Sequence, residues 1–113
     1  MAAIKRKQIV LSDEFQLDIK EVFGYGLNTF GFNAAKTFVS EIYMHVWNLD
    51  YQYLMFPEVR FLTSKNKIYR NIILGSYLIV YRIEIHRVEV LRIFHSSQYI
   101  PQNISTVKRI KPI

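Results

Sequence analysis

The sequence predicts an α+β fold: an N-terminal strand, an antiparallel helix hairpin, then a three-stranded antiparallel meander packed on the helices. Three observations carry this. Apolar residues recur at three- and four-residue spacing from Phe15 to Leu49. From Lys67 onward the period shortens to two. Glycine and small polar residues break the patterns where turns are required.

Lys7–Leu11 reads as a short first strand. Ser12 then offers a capping hydroxyl, and Asp13 and Glu14 fall in the first turn of a helix, where the dipole favours negative charge. Phe15, Ile19, Val22, Phe23, Leu27 and Phe30 make one face of that helix. Gly24 and Gly26 weaken it; they either thin the helix for close packing or break it early. Gly31 and Asn33 mark a turn or cap. Ala35, Phe38, Ile42, Val46 and Leu49 then form a second helical stripe, which ends before Pro57. Two helices joined so closely form an antiparallel hairpin. Tyr51–Leu62 reads as a loop leading to the sheet.

Ile68–Leu74 is the next strand, Gly75-Ser76 a two-residue turn and Tyr77–Glu84 a second strand. Tyr77, Ile79, Tyr81 and Ile83 share one face; Leu78, Val80, Arg82 and Glu84 share the other. Ile85–Arg87 turns the chain again, and Val88–His95 is the last strand. Links this short require antiparallel pairing. One face packs on the helices; the other carries Arg82 and Arg92 and is less apolar.

The 113 residues suit a single domain, 1–113, with 101–113 as a mobile basic tail holding Lys108, Arg109 and Lys111. Half the residues are apolar, ample for a packed interior. No apolar run approaches the roughly 18–20 residues that cross a bilayer, and no signal core follows Lys5, Arg6 and Lys7. A cytoplasmic protein without membrane contact is the expectation. With no cysteine, disulfides, thiolate catalysis and thiolate metal sites are excluded together. The net charge of +6 is uneven. Residues 13–50 carry two basic groups against six acidic, whereas residues 51–113 carry ten against three. This asymmetry suggests a polyanion or an acidic protein as partner for the C-terminal half.

The order of elements, and their wording, resembles the RelE/ParE toxin superfamily over roughly residues 8–104. Tyr69-Arg70-Asn71-Ile72-Ile73-Leu74-Gly75-Ser76-Tyr77-Leu78-Ile79-Val80-Tyr81-Arg82-Ile83 is similar to the family's central hairpin. Val88-Glu89-Val90-Leu91-Arg92-Ile93-Phe94-His95 is similar to its last strand. The resemblance implies a plasmid-stabilising toxin of a type II toxin–antitoxin system, held in a hetero-oligomer by a cognate antitoxin. Within the superfamily, RelE-type members cut messenger RNA on the ribosome and ParE-type members bind DNA gyrase. The nuclease type carries an arginine where Leu78 stands here, and a basic residue near Ser96 and Ser97. Both departures count against RNA cleavage. The Tyr-Leu-Ile-x-Tyr-Arg wording at Tyr77–Arg82 resembles the ParE branch, which implies a role other than enzyme. The alternatives are RelE-like messenger RNA cleavage or a non-toxic binding module on the same fold.

RNA cleavage needs a base, an acid and cations to offset phosphorane charge. The candidate residues are Lys65, Lys67, Arg70, Arg82, His95 and Tyr99. Lys65 and Lys67, two apart, would share a face if they lay in a strand, but two lysines in Thr63-Ser64-Lys65-Asn66-Lys67 are more often solvated loop charges. His95 at a strand end is more often structural than catalytic. His45 and His86 have no carboxylates at ligand spacing, so a metal site is not expected. Gly24 and Gly26 lack the preceding strand of a dinucleotide fingerprint, and no Gly-x-Ser-x-Gly elbow occurs. No cofactor is expected. Tyr43, Trp47, Tyr51 and Tyr53 could stack bases, but more readily pack around the second helix or meet a partner.

Overall fold

The computed structural model describes residues 4–60, 65 and 67–98. The tail 101–113 and Tyr99 lie outside the described residues. The elements are β1 (Gln8–Leu11), α1 (Asp13–Phe30), α2 (Phe32–Gln52), β2 (Tyr69–Leu74), β3 (Tyr77–Ile83) and β4 (Arg87–His95), followed by a short 3₁₀ turn at Ser96–Gln98. The strand, helix hairpin and antiparallel meander follow the expected order. The sheet runs β1-β4-β3-β2, with β1 parallel to β4 and the other pairs antiparallel.

Local chemistry explains the boundaries. Ser12 Oγ accepts from Phe15 N–H at 2.9 Å and donates to Leu91 O at 2.6 Å, so one hydroxyl caps α1 and ties it to β4. The two glycines do not break α1, which runs on to Phe30. A Cβ on Gly26 would lie 3.2 Å from that of Ala35, so this glycine lets α1 and α2 approach closely. Gly31 ends α1 at φ 92°, a conformation that side chains resist, and its N–H closes onto Leu27 O. Asn33 falls inside α2 rather than in the turn, and α2 outlasts its last apolar contact to reach Gln52. Gly75 at φ 60° supplies the first corner of a type II′ hairpin between Leu74 and Tyr77.

The core lies between the helix hairpin and one face of the sheet. Phe15, Ile42, Val46 and Leu49 from the helices meet Ile72, Ile79, Tyr81, Val88, Val90 and Ile93. Tyr81 keeps its hydroxyl satisfied on Tyr53 O at 2.8 Å. The opposite face carries a second, smaller cluster of Val59, Val80 and Leu91, flanked by Tyr69 and Phe94.

The register slips where Val80 pairs with Arg92 but Tyr81 with Val90. This bulge places an extra residue, Leu91, in β4. Strict alternation from Val88 and Val90 would turn Arg92 and Phe94 toward the helices. Instead Ile93 enters the main core, Phe94 joins the outer cluster, and His95 pairs with Tyr77.

Candidate functional site

The basic candidates at the start of β2 serve the fold. The Arg70 guanidinium donates to Lys67 O, Leu54 O and Phe56 O at 3.0–3.1 Å, binding the α2–β2 connector. Arg82 is buried. Its Nε and Nη2 lie 2.7 and 2.5 Å from Glu89 Oε1, while Arg87 holds the other carboxylate oxygen at 2.5 Å. Burial works against its charge, but hydrogen bonds to Tyr69 and Glu89 outweigh it and raise its pKa above the ordinary value. Tyr69, Arg82 and Glu89 stand in register across three strands, which assembles this network.

Lys65 and Lys67 are exposed and precede β2, so they do not share a strand face. Lys67 takes φ 54° in the connecting turn. His95 lies at the other end of the sheet. Five residues along β3 separate its partner Tyr77 from Arg82, roughly 17 Å of strand. The cationic candidates and the histidine are therefore not brought together. Leu78 pairs with Ile73 and Phe94. Ser96 and Ser97 bond locally, to Ser76 O and to His95.

His95 sits at the junction of two shallow depressions. The first, about 410 Å³, lies between the α1–α2 corner and the β2–β3 hairpin. It is largely apolar, with Tyr25, Phe30, Ala34, Phe38, Leu74 and Tyr77 on its walls. The second, about 360 Å³, continues toward Glu21 and the Asp18–Arg92 pair. The His95 ring packs edge-on against Tyr77 with centroids 5.5 Å apart, and its Nδ1 accepts from Ser97 N–H at 3.1 Å. An acceptor Nδ1 leaves the proton of the neutral ring on Nε2. Burial, with a smaller contribution from Tyr25, raises the Tyr77 pKa above its ordinary value.

Asp18 is the residue that pattern reading missed. Its carboxylate accepts from Arg92 at 2.7 and 3.0 Å and from Ile93 N–H at 3.0 Å. It thus occupies the edge of β4 beyond the end of β1. The bond to Asp18 raises the Arg92 pKa, against the effect of burial. The only sequence signal is an acidic residue between Phe15 and Ile19 on a largely apolar face.

The aromatic group on α2 divides. Tyr53 is buried, with its hydroxyl on Lys5 O. Tyr43 and Trp47 stack at 24°, and Tyr43 also meets Phe15 edge-on. Tyr51 lies under the Arg6 guanidinium. Tyr25, Phe30, Phe32 and Met44 leave more than half of their surface exposed on the helix hairpin, and Trp47 49%. No helix among the described residues is long and apolar enough to cross a membrane.

Comparison with known proteins gives this architecture a family. The profile for the ParE toxin of type II toxin-antitoxin system, parDE, matches residues 9–99. The chain belongs to the ParE toxin family. Among solved structures, a chain of the chromosomal ParDE TA system from P. aeruginosa matches with a TM-score of 0.67 and 15% identity. The match covers 80% of this chain and 97% of that one. No curated protein sequence matches. Family membership makes this chain a type II toxin with an antitoxin as its kind of partner. A ParE toxin is also consistent with basic side chains committed to holding the sheet together.

Proposed function

We propose that this ParE toxin acts in the cytoplasm by binding DNA gyrase, and that a cognate antitoxin neutralises it by covering its exposed apolar face. The observation that carries this reading is the open depression at His95, walled by Tyr25, Phe30 and Phe38 beside the hairpin tip. Such a surface suits an apolar segment of a partner protein, and its aromatic walls supply the anchor type that dominates interface energetics. Chemistry on RNA has less support. Arg82 and Arg70 spend their donors on Glu89 and on backbone carbonyls, away from His95. The basic C-terminal half adds attraction for an acidic partner.

The test is expression without the antitoxin, with supercoiling and transcript integrity read separately. The expected result is loss of supercoiling with transcripts intact, and recovery when the antitoxin is supplied. Unimpaired gyrase at high toxin excess removes the gyrase reading. Codon-linked transcript cuts would replace it with ribosome-dependent messenger RNA cleavage.

A further inference from the structure

The groove beside His95 is apolar at one end and negative at the other. Tyr25, Phe30, Phe38 and Leu74 line the apolar end. Its continuation of about 360 Å³ has Asp18, Glu21, Tyr25, Tyr77 and Arg92 on its walls. Helix spacing explains the negative end. Glu14, Asp18 and Glu21 stand four and three residues apart, so they share one face of α1.

That face meets a single cation. Asp18 holds the Arg92 guanidinium at 2.7 and 3.0 Å, and the charges of Glu14 and Glu21 favour it as well. Arg92 is the only arginine or lysine on the walls of either depression among the described residues. Glu21 is exposed and makes no hydrogen bond or ion pair among the described residues. Tyr25, 60% exposed, follows it by four residues and is its neighbour on the helix surface. A cation placed between the two is attracted by the carboxylate and by the aromatic ring together.

The charge of this end is opposite to that of the chain. The net charge is +6, with the basic excess in residues 51–113. An acidic partner is drawn to that half and repelled here. A second copy of this chain would set one charge of +6 against another. The occupant whose charge fits is a segment of a different protein that carries a basic side chain next to an apolar one.

We propose that gyrase enters this groove with a lysine or arginine set between Glu21 and Tyr25, and a neighbouring apolar side chain among Phe30, Phe38 and Leu74. This deepens the gyrase reading above and rests on it. The apolar end supplies affinity, and the negative end selects which segment binds.

The test uses the full chain with purified gyrase holoenzyme, relaxed plasmid and ATP. The toxin concentration that halves supercoiling is read for each variant. Glu21→Lys is expected to raise it about tenfold, since it removes an attraction and adds a repulsion. Glu21→Gln, which only removes the charge, is expected to raise it about threefold. Glu41→Lys makes the same change of net charge at an exposed position of α2 outside the groove, and is expected to stay within about twofold of the parent. Thermal melts of the variants separate binding from folding. Both Glu21 variants inhibiting as the parent does overturns the proposal and leaves the gyrase reading standing. An equal loss in Glu41→Lys assigns the effect to net charge and also overturns it. Glu21→Lys that weakens antitoxin binding but not gyrase inhibition gives the basic side chain to the antitoxin, with the same consequence. Glu21→Lys that abolishes self-association of the chain but not gyrase inhibition gives it to a second copy, again overturning the proposal. If the parent does not inhibit gyrase at all, the gyrase reading fails and this proposal fails with it.

Discussion

Arg82 and Glu89 form a buried ion pair across β3 and β4, with guanidinium nitrogens 2.5 and 2.7 Å from a single carboxylate oxygen. Glu89 has no exposed surface. Arg82→Ala leaves its carboxylate with Arg87 alone. Stability is expected to fall by about 3 kcal/mol, the usual scale for breaking a buried pair from one side. Urea denaturation checks this. Any loss of toxicity should track the unfolded fraction, which separates a structural arginine from a catalytic one.

Asp18 holds both the Arg92 side chain and the Ile93 amide. Asp18→Ala removes both partnerships and is expected to cost about 2–3 kcal/mol, since hydrogen bonds to charged groups stand at the strong end of the range. Asp18→Asn retains an acceptor for Ile93 N–H and is expected to cost less. Hydrogen exchange at Ile93 distinguishes the two: it should quicken locally in the alanine variant before global unfolding does.

Stability should decline in alkali. Burial raises the Tyr81 pKa well above its ordinary 10.0, against an opposing contribution from Arg70, and Tyr77 is raised as well. Below pH 10 both rings are neutral folded and unfolded, and their stabilising contribution is fully present. Above it the unfolded chain releases protons that the folded chain retains, so stability is lost as pH rises toward the folded values. The slope is at most about 1.4 kcal/mol per pH unit for each tyrosine. Tyr81→Phe should flatten the decline, while costing about 1 kcal/mol near neutrality for the lost bond to Tyr53 O. Melting temperature against pH measures both effects.

The two helix glycines should respond differently to alanine. Nothing lies within 4 Å of a Cβ built on Gly24, so Gly24→Ala gains helix propensity and is expected to stabilise by about 0.5–1 kcal/mol. At Gly26 the same gain meets Ala35 at 3.2 Å and is expected to be cancelled. Paired thermal melts give the comparison.

The depression beside His95 also yields a prediction. Under the binding reading, Phe30→Asp places a charge on its apolar wall and is expected to weaken antitoxin binding at least tenfold, read by titration calorimetry. His95→Gln keeps a polar side chain there and should alter toxicity by less than threefold. Loss of toxicity in a folded His95→Gln variant would restore a chemical role for the ring.

Much of this fold is legible in local pattern. The Ser12 cap of α1, the spacing of the Phe15–Phe30 stripe and the Gly75 turn are each set by neighbours within a few residues, so they can be read along the chain, whereas the second bond of Ser12, to Leu91 O, cannot. The groups that define the candidate site are not legible in this way. Asp18 and Arg92 lie 74 residues apart and meet only because α1 crosses the edge of β4. The bulge at Leu91 leaves no mark in composition, yet it decides that His95, rather than Phe94, pairs with Tyr77. Arg82 looks like a surface cation in a period-two strand. Only the register that sets Glu89 and Tyr69 on either side of it shows that its charge is already used.

The parallel pairing of β1 with β4 has a consequence for synthesis. Gln8 finds its neighbour in Arg87, and β4 joins β1 to β3. A nascent chain that has delivered β1, both helices and the first hairpin still lacks the strand that joins them. Non-local pairing of this kind delays folding until late in the chain. The four-stranded sheet is therefore complete only once β4 has been added between β1 and β3.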